Sequence, residues 1–404
     1  LLSEVSAGYS YGLKQMCMVL CRHPSSLLPR TRSVVLQKLV LFSGRVALSC
    51  DCKGRFGGFT QTMKRRHLLA STATASAVGW MTGAAQAALP SASKMPSAIT
   101  GQAHWTNKRV NGQDIRLFMW HKKAVLPEGR TSALGTIVFV HGSSVSSTPV
   151  FDLQIPGRPE SSVMDWFARL GYDNWCFDCE GYGRSDKSRP VNADIACGAD
   201  DLAVVSDYIM KLNGQQPLLT YGSSSGALRA ALFAQRHPER VARLALDAFV
   251  WTGEGSPTLA ERKKRLPDYL ASHRRPIDRT MIRSIFTRDH PGTSDLTVVE
   301  AFADAVLALD DSVPTGTYID MSAHLPVCDP EKIKVPTLIM RGQYDGIASF
   351  QDLASFFERL PNPDKQFVVM PGIAHTSTRS KNYALVYHLL AGYFSQPQPV
   401  YKGV

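Results

Sequence analysis

From about residue 104 the chain alternates short apolar runs with segments whose apolar residues recur every three or four positions. His104–Arg109 and Asp114–Lys122 predict two antiparallel strands joined at Asn111-Gly112, a dipeptide that accepts the positive φ values of a tight hairpin. Gly135–Gly142 carries the uninterrupted run Thr-Ile-Val-Phe-Val, the pattern of a strand buried on both faces. Tyr172–Phe177, Pro217–Tyr221, Val241–Leu246, Val335–Met340 and Gln366–Met370 predict further strands. Helical periodicity covers Ser162–Leu170, Ile195–Leu212, Ser225–Arg236 and Lys381–Phe394. Strands alternating with helices predict a mostly parallel α/β sheet with helices packed against it. Residues 252–330 break the rhythm. They hold several prolines, no buried-strand run and a helical, loop-rich pattern, so they are expected to be an insertion lying over a site. No internal repeat is present.

Composition adds little to this pattern, but charge changes it. At 404 residues, 44% hydrophobic and 20% charged, the chain has the make-up of a globular protein. Its net charge of +11 invites a nucleic-acid partner. The excess, however, sits at the front: residues 1–62 carry +6, residues 63–87 carry +3, and everything after residue 87 carries only +2. The folded part has no sustained basic run and no nucleic-acid motif, so no such partner is expected. The densest basic cluster, Arg262-Lys263-Lys264-Arg265, is expected on a solvated helix face.

Met63-Lys-Arg-Arg-His-Leu-Leu69 opens a basic start followed by a mildly apolar run to Ala85 and a small-x-small end, Ala85-Gln86-Ala87. This is the layout of an export signal with a signal-peptidase site. The paired arginines resemble a bacterial twin-arginine signal, although Lys64 and His67 depart from its favoured residues. The apolar run is too Thr- and Ser-rich for a stable membrane anchor. The expectation is therefore a signal at 63–87, an upstream segment at 1–62 with no readable domain, and a mature protein that is periplasmic or secreted. Cys17, Cys21, Cys50 and Cys52 fall in the leader. Cys176-x-x-Cys179 lies in a strand pattern without a histidine pair at metal-ligand spacing, so it is expected to be structural, and no metal site is expected. One disulfide using Cys179 or Cys197 is open in an exported chain.

Four short motifs carry chemistry. Gly222-Ser-Ser224-Ser-Gly226 falls between a predicted strand and a predicted helix, the setting in which a tight turn lifts a serine Oγ above a sheet. His141-Gly142-Ser143 follows another strand, where the Ser143 N–H, with that of Ser225, is placed to receive an oxyanion. His141 itself is expected to brace that loop. His375 follows the last predicted strand and is the expected general base; His237 sits at a helix end, His388 inside the final helix, and His273, His290 and His324 in the insertion. For the acid that orients it, Asp345 follows the strand ending at Met340, and Asp247 ends the strand after the elbow helix. Asp345 gives the chain order Ser…Asp…His, and Asp247 stays open as the alternative.

His-Gly, Asp178-x-x-Gly-x-Gly-x-Ser185, Gly-x-Ser224-x-Gly, Gly342-x-x-Asp345 and Gly372-x-x-His375 occur in that order over residues 104–396. Together they resemble the α/β-hydrolase superfamily. The resemblance implies an eight-stranded, mostly parallel sheet and a helical cap between strands six and seven. The core would then be 88–251 plus 331–404, the cap 252–330, and no cofactor would be needed. A serine nucleophile departs from the aspartate of dehalogenases and epoxide hydrolases of this fold. Ser143-Ser144 after His-Gly departs from the His-Gly-Gly-Gly of hormone-sensitive-lipase-like esterases. The expected activity is hydrolysis of a small-molecule carboxylic ester, apolar or aromatic, through an acyl-enzyme. C–C hydrolase, lactonase, amidase and thioesterase chemistry share the same residues. A non-catalytic binding module would instead show a broken triad. Trp251, Tyr269, Ile282, Phe286, Phe302 and Tyr318 are the apolar cap residues expected either to line the site or to fill the cap core.

Overall fold

The structure is a computed structural model, and it describes residues 98–125 and 133–401, together with a short antiparallel backbone pair, Val40–Phe42 with Arg45–Ala47. The expected signal at 63–87 lies outside the described residues, as do the four leader cysteines and the rest of the 1–62 segment.

Eight strands form one sheet. In chain order they are β1 (Ile99–Val110), β2 (Gln113–Ala124), β3 (Thr136–Val140), β4 (Asp173–Phe177), β5 (Leu218–Ser223), β6 (Val241–Asp247), β9 (Thr337–Gly342) and β10 (Lys365–Met370). The pair β7 (Arg274–Pro276) and β8 (Ser312–Pro314) stands apart from that sheet. The spatial order is β10-β9-β6-β5-β3-β4-β2-β1. All neighbours are parallel except β1–β2 and β2–β4. The hairpin turns at Asn111 (φ 49°) and Gly112 (φ 82°), the geometry its sequence favours.

Helices flank this sheet: α1 (Ser147–Phe151), α2 (Val163–Leu170), α3 (Ile195–Leu212), α4 (Ser225–Arg236), α10 (Phe350–Arg359) and α11 (Tyr383–Phe394). The core follows the apolar runs. Every residue of β3 is buried, and the Phe139 ring meets Phe151 and Tyr221. Three of these flanking helices start where the sequence offers a side-chain cap: Ser162, Asp194 and Ser349 each accept the N–H three residues on. Two helices were not predicted. At five residues α1 is too short to show periodicity. For α10 the signal existed, since Ser349 and Asp352 have the spacing of a helix-start motif and Leu353 and Phe356 repeat on one face.

Between β6 and β9 the chain builds α5 (Pro257–Lys263), α6 (Leu266–Leu270), α7 (Arg279–Thr287), α8 (Leu296–Leu307) and α9 (Gly316–Ile319), with β7 and β8 paired antiparallel. Polar contacts tie this insertion to the sheet's loops. Asp310 accepts the Gly183 N–H and pairs with Lys187, and Arg158 pairs with Asp295. Cys176, Cys179 and Cys328 are buried, Cys197 is partly so, and all four are free thiols. Among the described residues no helix is long and apolar enough to cross a membrane.

Candidate active site

The turn between β5 and α4 is set by what fails to fit there. A Cβ on Gly222 would lie 2.4 Å from the Gly226 carbonyl oxygen and 2.6 Å from Ala227 Cα. A Cβ on Gly226 would lie 2.1 Å from the Val140 carbonyl oxygen. Strand, turn and helix therefore close to backbone contact only with glycine at both positions. The closure forces Ser224 to φ 58°, ψ −126°, a conformation that non-glycine residues rarely take. Its N–H donates to the carbonyl of Asp247 at the end of β6 (2.9 Å), which pins the turn, and its side chain projects into a cavity.

The loops after β9 and β10 lie against each other. A Cβ on Gly342 would strike the carbonyl oxygens of Ile373 and Ala374 at 2.7 and 2.6 Å. The Tyr344 N–H donates to Ile373, and the Gly372 N–H to the Gln343 side chain. Arg341 steadies the first loop by donating to four of its carbonyls, those of Gly342, Gln343, Asp345 and Ala348. This packing brings His375 between Ser224 and Asp345. His375 Nδ1–H donates to Asp345 Oδ1 (2.9 Å), and Nε2 faces Ser224 Oγ at 3.0 Å. The tautomer follows: with Nδ1 holding the proton, Nε2 is free to accept one. Burial works against the charge on Asp345, but His375 and the Ile347 N–H outweigh it and hold the carboxyl below its usual pKa.

Asp247, the alternative acid, makes no hydrogen bond to His375 among the described residues. It accepts from Tyr221 (2.5 Å) and from Ser377. Burial raises its pKa to about 6 despite both bonds, with the nearby Asp345 charge adding to the rise.

His141 and Gly142 fix the opposite side. His141 is fully buried, donates from Nδ1 to the Gly142 carbonyl (2.8 Å) and accepts the Cys179 N–H at Nε2 (3.0 Å). Burial, reinforced by the Arg229 charge, drops its pKa to about 3, so it stays neutral and structural. Gly142 leaves room for Ser224: a Cβ there would lie 3.3 Å from Ser224 Cβ. Ser143 Oγ donates to Ser225 Oγ at 2.6 Å, which joins the two residues expected to present backbone N–H groups. Ser225 opens α4, so its N–H has no acceptor within the helix. The Asp178–Ser185 turn supports this loop from below. Asp178 accepts from the Ser147 N–H and hydroxyl and the Arg184 N–H, while Tyr182 donates to the Ser143 carbonyl.

Residues 132–381 match the protein family described as serine aminopeptidase, S33. The chain belongs to that family. No curated protein matches this S33 chain. Among solved structures it is similar to a thermophilic esterase from Thermogutta terrifontis, with 20% identity and a TM-score of 0.50 over 72% of this chain and 97% of that one. It is similar to epoxide hydrolase VrEH1 from Vigna radiata at 16% identity and a TM-score of 0.51, over 73% and 99% of the two chains. A hydrolase from Pseudomonas aeruginosa gives 15% identity and a TM-score of 0.50, over 72% and 98%. These likenesses show a common fold, and the S33 match makes the chain a hydrolase of the α/β type.

The rest of the cavity in this S33 hydrolase is less apolar than its sequence suggested. Of the six apolar residues expected either to line the site or to fill the cap core, Phe302 and Tyr318 line it. Ile282, Phe286 and Tyr269 are buried inside the insertion instead, and the Trp251 indole N–H donates to the Cys328 carbonyl. Arg262, Arg288 and Arg379 complete the lining with Val145, Val150, Ile285 and Thr376. Lys263, Lys264 and Arg265 are exposed as expected, but Arg262 turns inward, its guanidinium 3.8 Å from the centre of the Tyr318 ring. Nothing in the local sequence separates Arg262 from its basic neighbours. Arg275, Arg288 and Arg379 carry no motif at all.

Proposed function

We propose that the chain hydrolyses a carboxylic ester of a small molecule through an acyl-enzyme on Ser224. His375 Nε2 takes the Ser224 proton as the oxygen attacks the ester carbonyl. The Ser143 and Ser225 N–H groups hold the oxyanion, each such donor being worth about 3–4 kcal/mol of barrier. His375 then returns the proton to the leaving alcohol and draws one from water for deacylation, while Asp345 fixes its tautomer and stabilises the imidazolium. The inserted segment 252–330 acts as the cap that shapes the pocket. The export-like stretch Met63–Ala87 supports delivery of the mature protein to the periplasm or beyond.

One observation carries this proposal: the continuous hydrogen-bonded path Ser224–His375–Asp345, at 3.0 and 2.9 Å, on a strained turn facing a cavity. The family description also raises peptide cleavage. An aminopeptidase must receive a free ammonium, and the arginines of this cavity repel one, so esters are the better fit. A fluorophosphonate probe followed by a panel of aryl and alkyl esters tests the proposal. Labelling at Ser224 with turnover of at least one ester supports it; absence of labelling on folded protein removes it.

A further inference from the structure

Three guanidiniums, those of Arg262, Arg288 and Arg379, line the cavity above Ser224, a fourth, that of Arg275, lies against the Tyr318 ring, and too few acids answer them. Arg288 has a partner, Asp289, at 3.6 Å. Arg262 donates only to the Met321 sulfur, at 3.4 Å, among the described residues. Arg275 donates to the Ser144 hydroxyl (2.7 Å) and reaches the Ser143 carbonyl at 3.4 Å, and its Nε is buried without a partner. Arg379 donates to the Val150 carbonyl and Thr378, and its Nε is likewise buried and unpartnered. None of these three forms an ion pair with a carboxylate among the described residues. Asp345 is committed to His375. Asp247 acts on Arg379 through space while bonding to Tyr221 and Ser377; even if it and Tyr318 both gave up their protons, they would answer two charges and leave one. Aromatic faces hold the guanidiniums in place: Arg262 and Arg275 lie 3.8 and 4.0 Å from the Tyr318 ring, and Arg379 lies 4.6 Å from Phe302.

Withdrawing a cation from water without a counter-ion is costly, and proteins rarely retain one without a partner. Here the uncompensated charge faces the cavity that holds the nucleophile. A guanidinium is also a planar fork matched to a carboxylate. We propose that the preferred substrate is an ester bearing a carboxylate, which Arg262 and Arg379 grip while its carbonyl lies against Ser224, with Arg275 reinforcing the field from behind Tyr318. This rests on Ser224 being the nucleophile. It replaces the apolar substrate expected from the sequence with an anionic one.

Two matched pairs of esters test it: 4-nitrophenyl hexanoate against mono-4-nitrophenyl adipate, and phenyl acetate against 4-acetoxybenzoate. The expected result is a kcat/KM at least about tenfold higher for the anionic member of at least one pair, the size of a charged hydrogen bond lost. Arg262→Gln and Arg379→Gln should each bring that ratio toward one, and Arg262→Lys should restore part of it. Neutral esters preferred in both pairs, or ratios unmoved by both Gln variants, would overturn the proposal. Calorimetry of adipate on Ser224→Ala separates the two levels of inference. Adipate bound there and lost on adding Arg262→Gln supports the anion site even if no ester is turned over. Esters cleaved without discrimination, and no adipate binding, would leave the hydrolase standing and remove the anion site. If Arg262→Gln does not fold, the Arg262→Lys and Arg379→Gln ratios decide.

Discussion

At the floor of the cavity the decisive atoms are held by backbone, whereas at its wall they are the tips of long side chains. Ser224, Ser143 and Ser225 owe their positions to glycines whose missing Cβ atoms let β3, β5 and α4 touch. The wall owes its shape to arginines from α5, β7, the end of α7 and the loop after His375; Arg262, Arg275 and Arg379 each lean on an aromatic ring, and Arg288 pairs with Asp289. The floor is set by backbone contacts and carries generic chemistry; the wall is set by side chains, which on the proposed reading select the substrate. A hydrolase of this design can keep its reaction fixed while its substrate drifts, because changing an arginine leaves the glycine-to-backbone packing of the floor in place.

The sharpest way to break this comparison is at the floor. Ser224→Ala should lower kcat by about 10⁶-fold with the circular dichroism spectrum unchanged, as expected when a nucleophile acts together with its base. Activity retained at wild-type level would make the turn a structural feature only. Next in size is the choice of acid. Asp345→Asn should cost about 10⁴ in kcat, because the amide would favour the wrong imidazole tautomer. Asp247→Asn should cost less than about tenfold, since Tyr221 and Ser377 are its hydrogen-bond partners and His375 is not. Equal losses in the two variants would return Asp247 to contention.

These two aspartates also titrate in opposite directions, and that predicts a difference in stability. Asp345 lies below its usual pKa in the folded chain, so its contribution is present above the ordinary carboxylate range and is lost as pH falls through the lowered value. Asp247, raised to about 6 chiefly by burial, holds a proton in the folded chain that the unfolded chain has already released. Its contribution is full below the ordinary value of about 4 and declines as pH rises toward 6, by roughly 3 kcal/mol for a shift of about two units. Urea unfolding at pH 4.5 and 7 measures it. Asp247→Asn should gain stability relative to wild type between the two, and a difference that does not change with pH would contradict the burial effect.

The floor was legible in the sequence and the wall was not, for a physical reason. Backbone closure at Gly222, Gly226 and Gly342, and the positive φ of 68° at Gly372, demand a particular residue type at a fixed offset from the chemistry, so they leave a motif. The alternation of buried strands and helices left the same kind of trace for the sheet. Arg262 sits among four consecutive basic residues, and only packing against Tyr318, far along the chain, turns it inward while Lys263 and Lys264 stay in solvent. Such long-range choices have no local signal. The sequence leaves Asp345 and Asp247 both open for a related reason: Asp247 ends one parallel strand and Asp345 follows the end of the next, and only the loop geometry after Gly342 separates them.

The smallest expected effect lies in the wall, at Tyr318. Burial pushes its phenol pKa up, but Arg275, Arg262 and Arg288 together outweigh burial and bring it down to about 6. Its other neighbours are the Ser144 hydroxyl at 3.2 Å and the Tyr269 ring at 5.2 Å, neither charged at neutral pH. As pH rises through 6 the phenol becomes an anion and offsets part of the arginine charge. The preference for a carboxylate-bearing ester over its neutral partner should therefore fall a few-fold between pH 5 and 7. A pH effect on the chemical step common to both esters cancels from the ratio. Tyr318→Phe keeps the ring that seats Arg262 and Arg275 but removes the ionising oxygen. In that variant the ratio should stay flat across the same range, at its low-pH value. A wild-type ratio that is also flat would mean that the wall's charge is fixed by the guanidiniums alone.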